Sequence, residues 1–212
     1  MQIHIDIETE LVLLPELAAW LPASQTLILG DLHVGRVQHM RKNGLPVPAA
    51  SAQKEPELWI QMLEKHQPKI CIILGDLFHS QPNAEWEQLW RELAPFDSLL
   101  FVWVLGNHDR YAQQTAPHHW QVLDQWQQDG IRFCHEPSQE EGFEICGHLH
   151  PKIQIQGKGR QRLSLPCFWL QENRMILPAF SRLAGGHAIQ AQKSERVFVS
   201  DGKRVREWKA QS

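Results

Sequence analysis

Short apolar runs, each closed by a glycine and then a cluster of Asp, His or Asn, recur along the first two thirds of the chain. TLILG precedes Asp31, ICIILG precedes Asp76, LLFVWVLG precedes Asn107 and FEICG precedes His148. Runs this short, rich in β-branched and aromatic residues and ended by Gly, predict buried strands. Between them the period changes. Trp86, Leu89, Trp90 and Leu93 follow i, i+3, i+4, i+7 spacing, and Trp59, Met62, Leu63 and His66 give a similar stripe. Both stripes predict helices with one face in the core. Val122, Leu123 and Trp126, stopped by Gly130, read as a third helix. From Ile131 onward the helical spacing gives way to IRFC, FEICG, KIQIQ, LSLPCFWL, RMILPAF, HAIQA and RVFVS, a succession of short strands.

Strand–helix alternation up to about residue 130 implies an α/β sheet with helical crossovers. The later strands fit a second, antiparallel sheet packed on the first, the whole being one domain over residues 1–212. Open α/β sheets form their sites at the C-terminal ends of strands. The recurring grammar therefore assembles Asp31, His33, Asp76, Asn107, His108, His148 and His150 along one edge.

Composition narrows the function. Hydrophobic residues make up 42% of the 212 and charged residues 21%, which excludes wholesale disorder. A net charge of −3 excludes nucleic-acid binding through bulk positive charge and leaves room for a local basic patch. Cys71, Cys134, Cys146 and Cys167 have no CxxC spacing, and three of them sit in apolar runs as small hydrophobes. A reducing cytoplasm is the simplest compartment. The first ten residues carry acids where a signal peptide needs cations. The longest apolar run, residues 99–105, falls far short of the ~20 residues a membrane span needs. The anomaly is the 12 histidines.

In order, the chemistry-bearing blocks are GDLH (30–33), GDLFH (75–79), GNHD (106–109), the isolated His135 and GHLH (147–150). Asp-x-His and His-x-His place two ligands on one side of an extended segment, since alternate residues share a face. Carboxylates with imidazoles suit Mn²⁺, Fe or Zn²⁺ rather than Ca²⁺. There are more ligands than one ion can use. Two ions ~3.5–4 Å apart form a clamp for in-line displacement at phosphorus.

These blocks, in this order and spacing, resemble the signature of the calcineurin-like metallophosphoesterases. Within that family the chain is most similar to the bacterial ligase-associated DNA-damage-response endonuclease subgroup, through GDLHVGR at 30–36, GDLFHS at 75–80, Pro178-Ala179-Phe180 and Gly185-Gly186. The resemblance implies a layered α/β/β/α sandwich of two mixed β-sheets flanked by helices. It also implies two divalent ions, Mn²⁺ first with Fe or Zn²⁺ as alternatives. Asp31, His33 and His150 would bind the first ion, Asp76 would bridge both, and Asn107, His135 and His148 would complete the second site. His108 would protonate the leaving oxygen with Asp109 orienting it, and activated water would be the nucleophile. A functional association with DNA ligase and helicase is a further implication of the subgroup.

Three positions depart from the pattern. His135 is followed by Glu136-Pro137 where many relatives have His-Gly, with His118 and His119, in a stretch read as helical, as its rivals. His79 stands where other relatives often have Asp, and either contacts substrate or lies on the surface. Ser181 replaces a usual Gly. His4, His39, His66 and His187 read as structural or surface residues. Arg36, Arg110, Arg160 and Arg162 are the candidate substrate contacts, because an arginine fork suits phosphate oxygens. Arg41, Lys42 and Lys158 read as solvated charges. The leading expectation is a phosphodiesterase acting on DNA or another nucleic acid. A phosphohydrolase of small phosphate esters or nucleotides is the alternative, and a catalytically dead scaffold is disfavoured because every ligand and His108 is present.

Overall fold

The computed structural model describes residues 1–5, 9–79, 84–156 and 162–209. The first sheet takes β1 (Gln2–His4), β2 (Glu10–Leu13), β3 (Ala19–Leu21), β4 (Thr26–Leu29), β5 (Ile70–Leu74), β6 (Leu100–Val104) and β7 (Gln121–Leu123), hydrogen-bonded in that order. β1 to β4 pair antiparallel, and β4 to β7 pair parallel. Parallel neighbours need crossovers. Those here carry α1 (Arg36–Lys42) and α2 (Lys54–His66) between β4 and β5, then α3 (Ala84–Leu93) between β5 and β6. Every residue of β4 is buried, as in a strand covered on both faces.

The second sheet is built from β8 (Gln125–Gln128), β9 (Ile131–Cys134), β10 (Phe143–Cys146), β11 (Pro151–Gln156), β12 (Arg162–Leu170), β13 (Arg174–Ile176), β14 (His187–Ala188), β15 (Arg196–Ser200) and β16 (Val205–Trp208). Its path is β14-β11-β12-β13-β10-β9-β8, with β15 on β12 and β16 on β15. The sheet is mixed rather than antiparallel throughout: β10 runs parallel to both β9 and β13. That parallel core gives His135 and His148 a common edge.

Alternation along the first-sheet strands decides the layering. Leu27, Leu29, Cys71, Ile73, Phe101 and Trp103 pack against Trp59, Met62, Leu63, Trp86, Leu89 and Leu93 of α2 and α3. Their neighbours Ile28, Ile72, Leu74, Val102 and Val104 face Phe133, Ile145, Phe168, Met175 and Phe198 of the second sheet. Two mixed sheets flanked by helices are therefore present, and α2 and α3 pack on the first sheet. On the second sheet, Val197, Val199 and Cys167 cluster with the half-buried Trp169 and Trp208.

The expected third helix is absent. Val122 and Leu123 lie in β7, Trp126 in β8, and the chain passes from one sheet to the other at Asp124. β8 turns directly into β9 with Gln128 opposite Ile131, so Asp129-Gly130 is a two-residue hairpin loop. Both residues have positive φ, 53° and 75°, the geometry that matches the twist of the flanking strands. An Asp-Gly pair is a strong hairpin signal, and here it overrides a weak three-residue helical stripe. Gly130 has open space around its Cα, so a methyl group there meets strain alone. Gly130→Ala should lower stability in urea unfolding by ~1–2 kcal/mol and leave metal binding unchanged.

Candidate metal centre

The C-terminal ends of β4, β5, β6, β9 and β10 converge on one point. Each is followed within three residues by a histidine, a carboxylate or, after β6, Asn107 of the blocks above. The ligand pairs do not lie on extended backbone, contrary to the alternation argument. Asp31, His33, Asp76, His148 and His150 all hold positive φ, between 45° and 66°. Such conformations are rare outside Gly, and a cluster of five at strand ends is strain held by surrounding contacts. Those contacts are backbone hydrogen bonds between loops: Asp31 N–H donates to Gly75 O at 2.9 Å, and His33 N–H to Asp76 O at 2.9 Å.

Close approach of the loops also explains two of the glycines. A side chain on Gly75, itself at φ 74°, would collide with the His135 ring, and one on Gly106 would strike the backbone nitrogen and carboxylate of Asp76. The late PAF segment serves the same packing. Phe180 N–H donates to Gly30 O and Ser181 N–H to Asp31 O, so the backbone at 181 pins the first ligand loop whatever the side chain.

Two triads of ligand atoms result, Asp31–His33–His150 and Asp31–Asp76–His135, each within 4.8 Å of one another. His150 Nε2 lies 3.0 Å from Asp31 Oδ1, unaligned for a hydrogen bond. Asp76 presents Oδ2 to His33 Nε2 at 3.9 Å and Oδ1 to His135 Nε2 at 3.6 Å. His135 Nδ1 touches Leu74 O at 2.9 Å, and its Nε2 meets His148 Nδ1 at 3.1 Å. His118 and His119 are exposed on a turn after a 3₁₀ segment, neither helical nor near these atoms. Asn107 is exposed on the β6 loop. His108 N–H donates to Asp76 Oδ1 at 3.0 Å, and its half-exposed ring has Nε2 3.9 Å from Asp76 Oδ2.

The donor set fits cations. Asp31 and Asp76 are buried, and among the described residues only imidazoles pair with them. Asp31 Oδ1, both ring nitrogens of His33 and His150 Nε2 are buried without a hydrogen-bond partner. Leaving such atoms unpaired is costly, and a bound divalent ion would satisfy them. Burial, aided by His150 and Arg36, pushes the His33 imidazole down to about 2, so it stays neutral as a ligand must.

Asp109 takes a different place from a direct partner of the His108 ring. It is fully buried, and its oxygens accept from Phe78 N–H at 3.2 Å, Trp103 Nε1–H at 3.1 Å and Gly106 N–H at 2.9 Å. Burial pushes its carboxyl up to about 6 against the pull of those donors. Any orienting effect on His108 passes through the loop backbone.

Two histidines join the site that sequence reasoning left undecided or set aside. The His79 ring centroid is 5.5 Å from that of His33, 5.3 Å from His108 and 5.1 Å from His39 on α1. For His39 the available signal was its i+3 offset from Arg36, which places both on one face of α1. Arg36 is partly buried beside His33 and His79. Arg110 is exposed on the 3₁₀ turn after His108. Arg162 stands opposite Gln156, five residues beyond Pro151, hence ~17 Å along the hairpin from the ligands. Arg160, Lys158 and Ser80 lie outside the described residues.

A family model for calcineurin-like phosphoesterases matches residues 24–182. The chain belongs to this family. It is similar to the crystal structure of the Pseudomonas putida nuclease MPE, with 27% identity over 98% of this chain and 99% of that one and a TM-score of 0.81. A phosphoesterase from E. coli, Yfce, aligns at 15% identity over 83% of this chain and 87% of that one, with a TM-score of 0.44. No curated protein matches. The protein is accordingly a metal-dependent phosphoesterase. None of its described helices is long and apolar enough to cross a membrane.

Asp109 and His108 should separate cleanly on mutation. Asp109→Asn puts an NH₂ against one of three N–H donors and should cost ~1–3 kcal/mol in denaturant unfolding. His108→Ala should leave the unfolding midpoint where it was. An unchanged midpoint for Asp109→Asn would remove its scaffold role.

Proposed function

We propose that this phosphoesterase is a dinuclear-metal phosphodiesterase that cuts nucleic acid, with DNA as the leading substrate. The observation that carries the reading is the pair of triads sharing Asp31, in a chain that matches a nuclease structure end to end. We assign Asp31, His33 and His150 to one ion and Asn107, His135 and His148 to the other. Asp76 serves both, and its two oxygens facing opposite histidines support the bridge. The mixed carboxylate, imidazole and amide set, with no thiolate, favours Mn²⁺ over softer ions. When bound, the ions would neutralise phosphate oxygens and lower the pKa of water toward ~7.

The rest is done by side chains. His108 stands with its ring half-exposed at the edge of the buried carboxylates, where a substrate phosphate would arrive from solvent. It donates its proton to the leaving oxygen. Arg36, partly buried next to His33 and His79, places a guanidinium where it steadies a non-reacting phosphate oxygen. Arg110, exposed on the turn after His108, is a second candidate for such a contact. Arg162 is too far along its hairpin for the reacting phosphate and within reach of a flanking one, which favours a polymer over a small ester. An expected modest affinity follows from the net charge of −3.

Chelation should abolish hydrolysis of bis-p-nitrophenyl phosphate, and Mn²⁺ add-back should restore it; full activity in a rigorously metal-free sample would sink the metal assignment. With Mn²⁺ present, diesters and single-stranded DNA should be cut in preference to p-nitrophenyl phosphate, while a preference for the monoester selects the small-ester alternative. Asp76→Ala should lose metal and activity together. His108→Ala should keep its metal and slow turnover by ~10²–10⁴ on alkyl leaving groups, with a smaller penalty on p-nitrophenyl esters, which need little protonation. His135→Ala should reduce metal stoichiometry, whereas His118→Ala and His119→Ala should not.

A further inference from the structure

Beside the metal centre, on the far side of His150, lies a cavity of about 240 Å³. It is enclosed by four separate segments: the turn between β2 and β3, the β11–β12 hairpin, the segment after β13, and the turn between β15 and β16. Its lining includes the apolar Pro15, Leu17 and Pro166, while Lys152 and Arg182 supply cationic groups. His150 itself belongs to the first candidate triad, so the cavity and that site share a residue. Ser181 lines it too, and Ser181 N–H is the donor to Asp31 O.

The framework is fixed rather than collapsed. Ser200 Oγ–H donates to Pro15 O at 2.8 Å and ties the β15–β16 turn to the β2–β3 turn. Lys152 Nζ donates to Ala184 O at 3.1 Å, holding the hairpin to the segment after β13. Asp201 is the acid in the lining, and its carboxylate accepts from Lys203 N–H and Arg204 N–H, both at 2.8 Å. The lining thus carries two cations, Lys152 and Arg182, against one carboxylate.

We propose that this cavity is a nucleoside subsite, taking one base and sugar out of the strand next to the phosphate that is cut. The inference rests on the phosphodiesterase reading above. The volume is below the ~300–1,000 Å³ of pockets for drug-sized ligands and suits one such unit. Apolar proline and leucine side chains can meet a base face without reading its edge, as expected for a site with little sequence preference. The cations would hold the next phosphate of the chain, a group that a small monoester lacks. Binding energy gathered here, away from the reacting atoms, goes into placing the scissile phosphate.

Two diesters with one leaving group test this: methyl p-nitrophenyl phosphate, and thymidine 5′-(p-nitrophenyl phosphate). With Mn²⁺, kcat/KM for the thymidine ester should exceed that for the methyl ester by ~10-fold or more. Ser164 is exposed in the lining, so Ser164→Trp fills the cavity without disturbing the core. That variant should bring the two esters within about twofold of each other at an unchanged methyl-ester rate, with Ser164→Ala keeping the wild-type ratio. Calorimetry of thymidine with metal-free protein gives a second readout, in which Ser164→Trp should weaken binding by ~10-fold. A wild-type ratio near one with the methyl ester still cut, or a ratio and thymidine affinity that survive Ser164→Trp, overturns the subsite alone. Failure to cut either ester overturns the phosphodiesterase reading and the subsite with it.

Discussion

Asp31 sits at the end of β4 with no accessible surface, and the loops around it are arranged by its few atoms. Its N–H bonds the second ligand loop through Gly75 O, its carbonyl accepts from Ser181, and its carboxylate accepts from His148 N–H at 3.1 Å. Three segments far apart in sequence are thereby fixed relative to one another by a single residue in a left-handed conformation. A buried carboxylate facing imidazoles and no fixed cation is a poor arrangement for stability on its own. It would become a good one with a divalent ion completing it. Folding and metal affinity would then be coupled through that charge, and the backbone strain at the five candidate ligand positions is the local cost of aiming the side chains inward.

The helical layer stiffens the same edge from behind. Phe78, two residues after Asp76, packs 3.9 Å between centroids against Trp86, and lies 5.3 Å from Trp90 and 5.7 Å from Trp103. Trp120 stacks on Phe101 at 4.3 Å and meets Trp59 edge-on. This aromatic lattice takes up five of the chain's nine tryptophans, Trp59, Trp86, Trp90, Trp103 and Trp120. Through its indole N–H, Trp103 also reaches Asp109 and so ties the lattice to the loop bearing Asn107 and His108. An aromatic core of this kind transmits little play to the ligand loops, because large rigid rings leave few alternative packings.

Strand-end placement of the candidate ligands, the order of the five blocks, both long helices and the burial of Trp59, Trp86 and Leu89 were legible along the chain, because each depends on local periodicity and on which residues can end a strand. Family membership followed from the same blocks. Not legible were the switch between sheets at Asp124, the parallel core of the second sheet, the backbone conformation of the ligands and the inward commitment of Asp109. Each depends on contacts between segments a dozen or more residues apart: Asp109 with Phe78, Asp31 with Gly75 and His148, and Cys134 beside Cys146 in parallel register. His39 and His79 belong with these, since one comes from a helix and the other from a loop, and only the packing of His39 on His79, and of His79 on His33 and His108, joins them to the site. The sequence by itself thus determined what chemistry the chain carries, through residue type and order. The tertiary structure alone decided which atoms meet, because long-range hydrogen bonds and close packing set distances that no local pattern encodes.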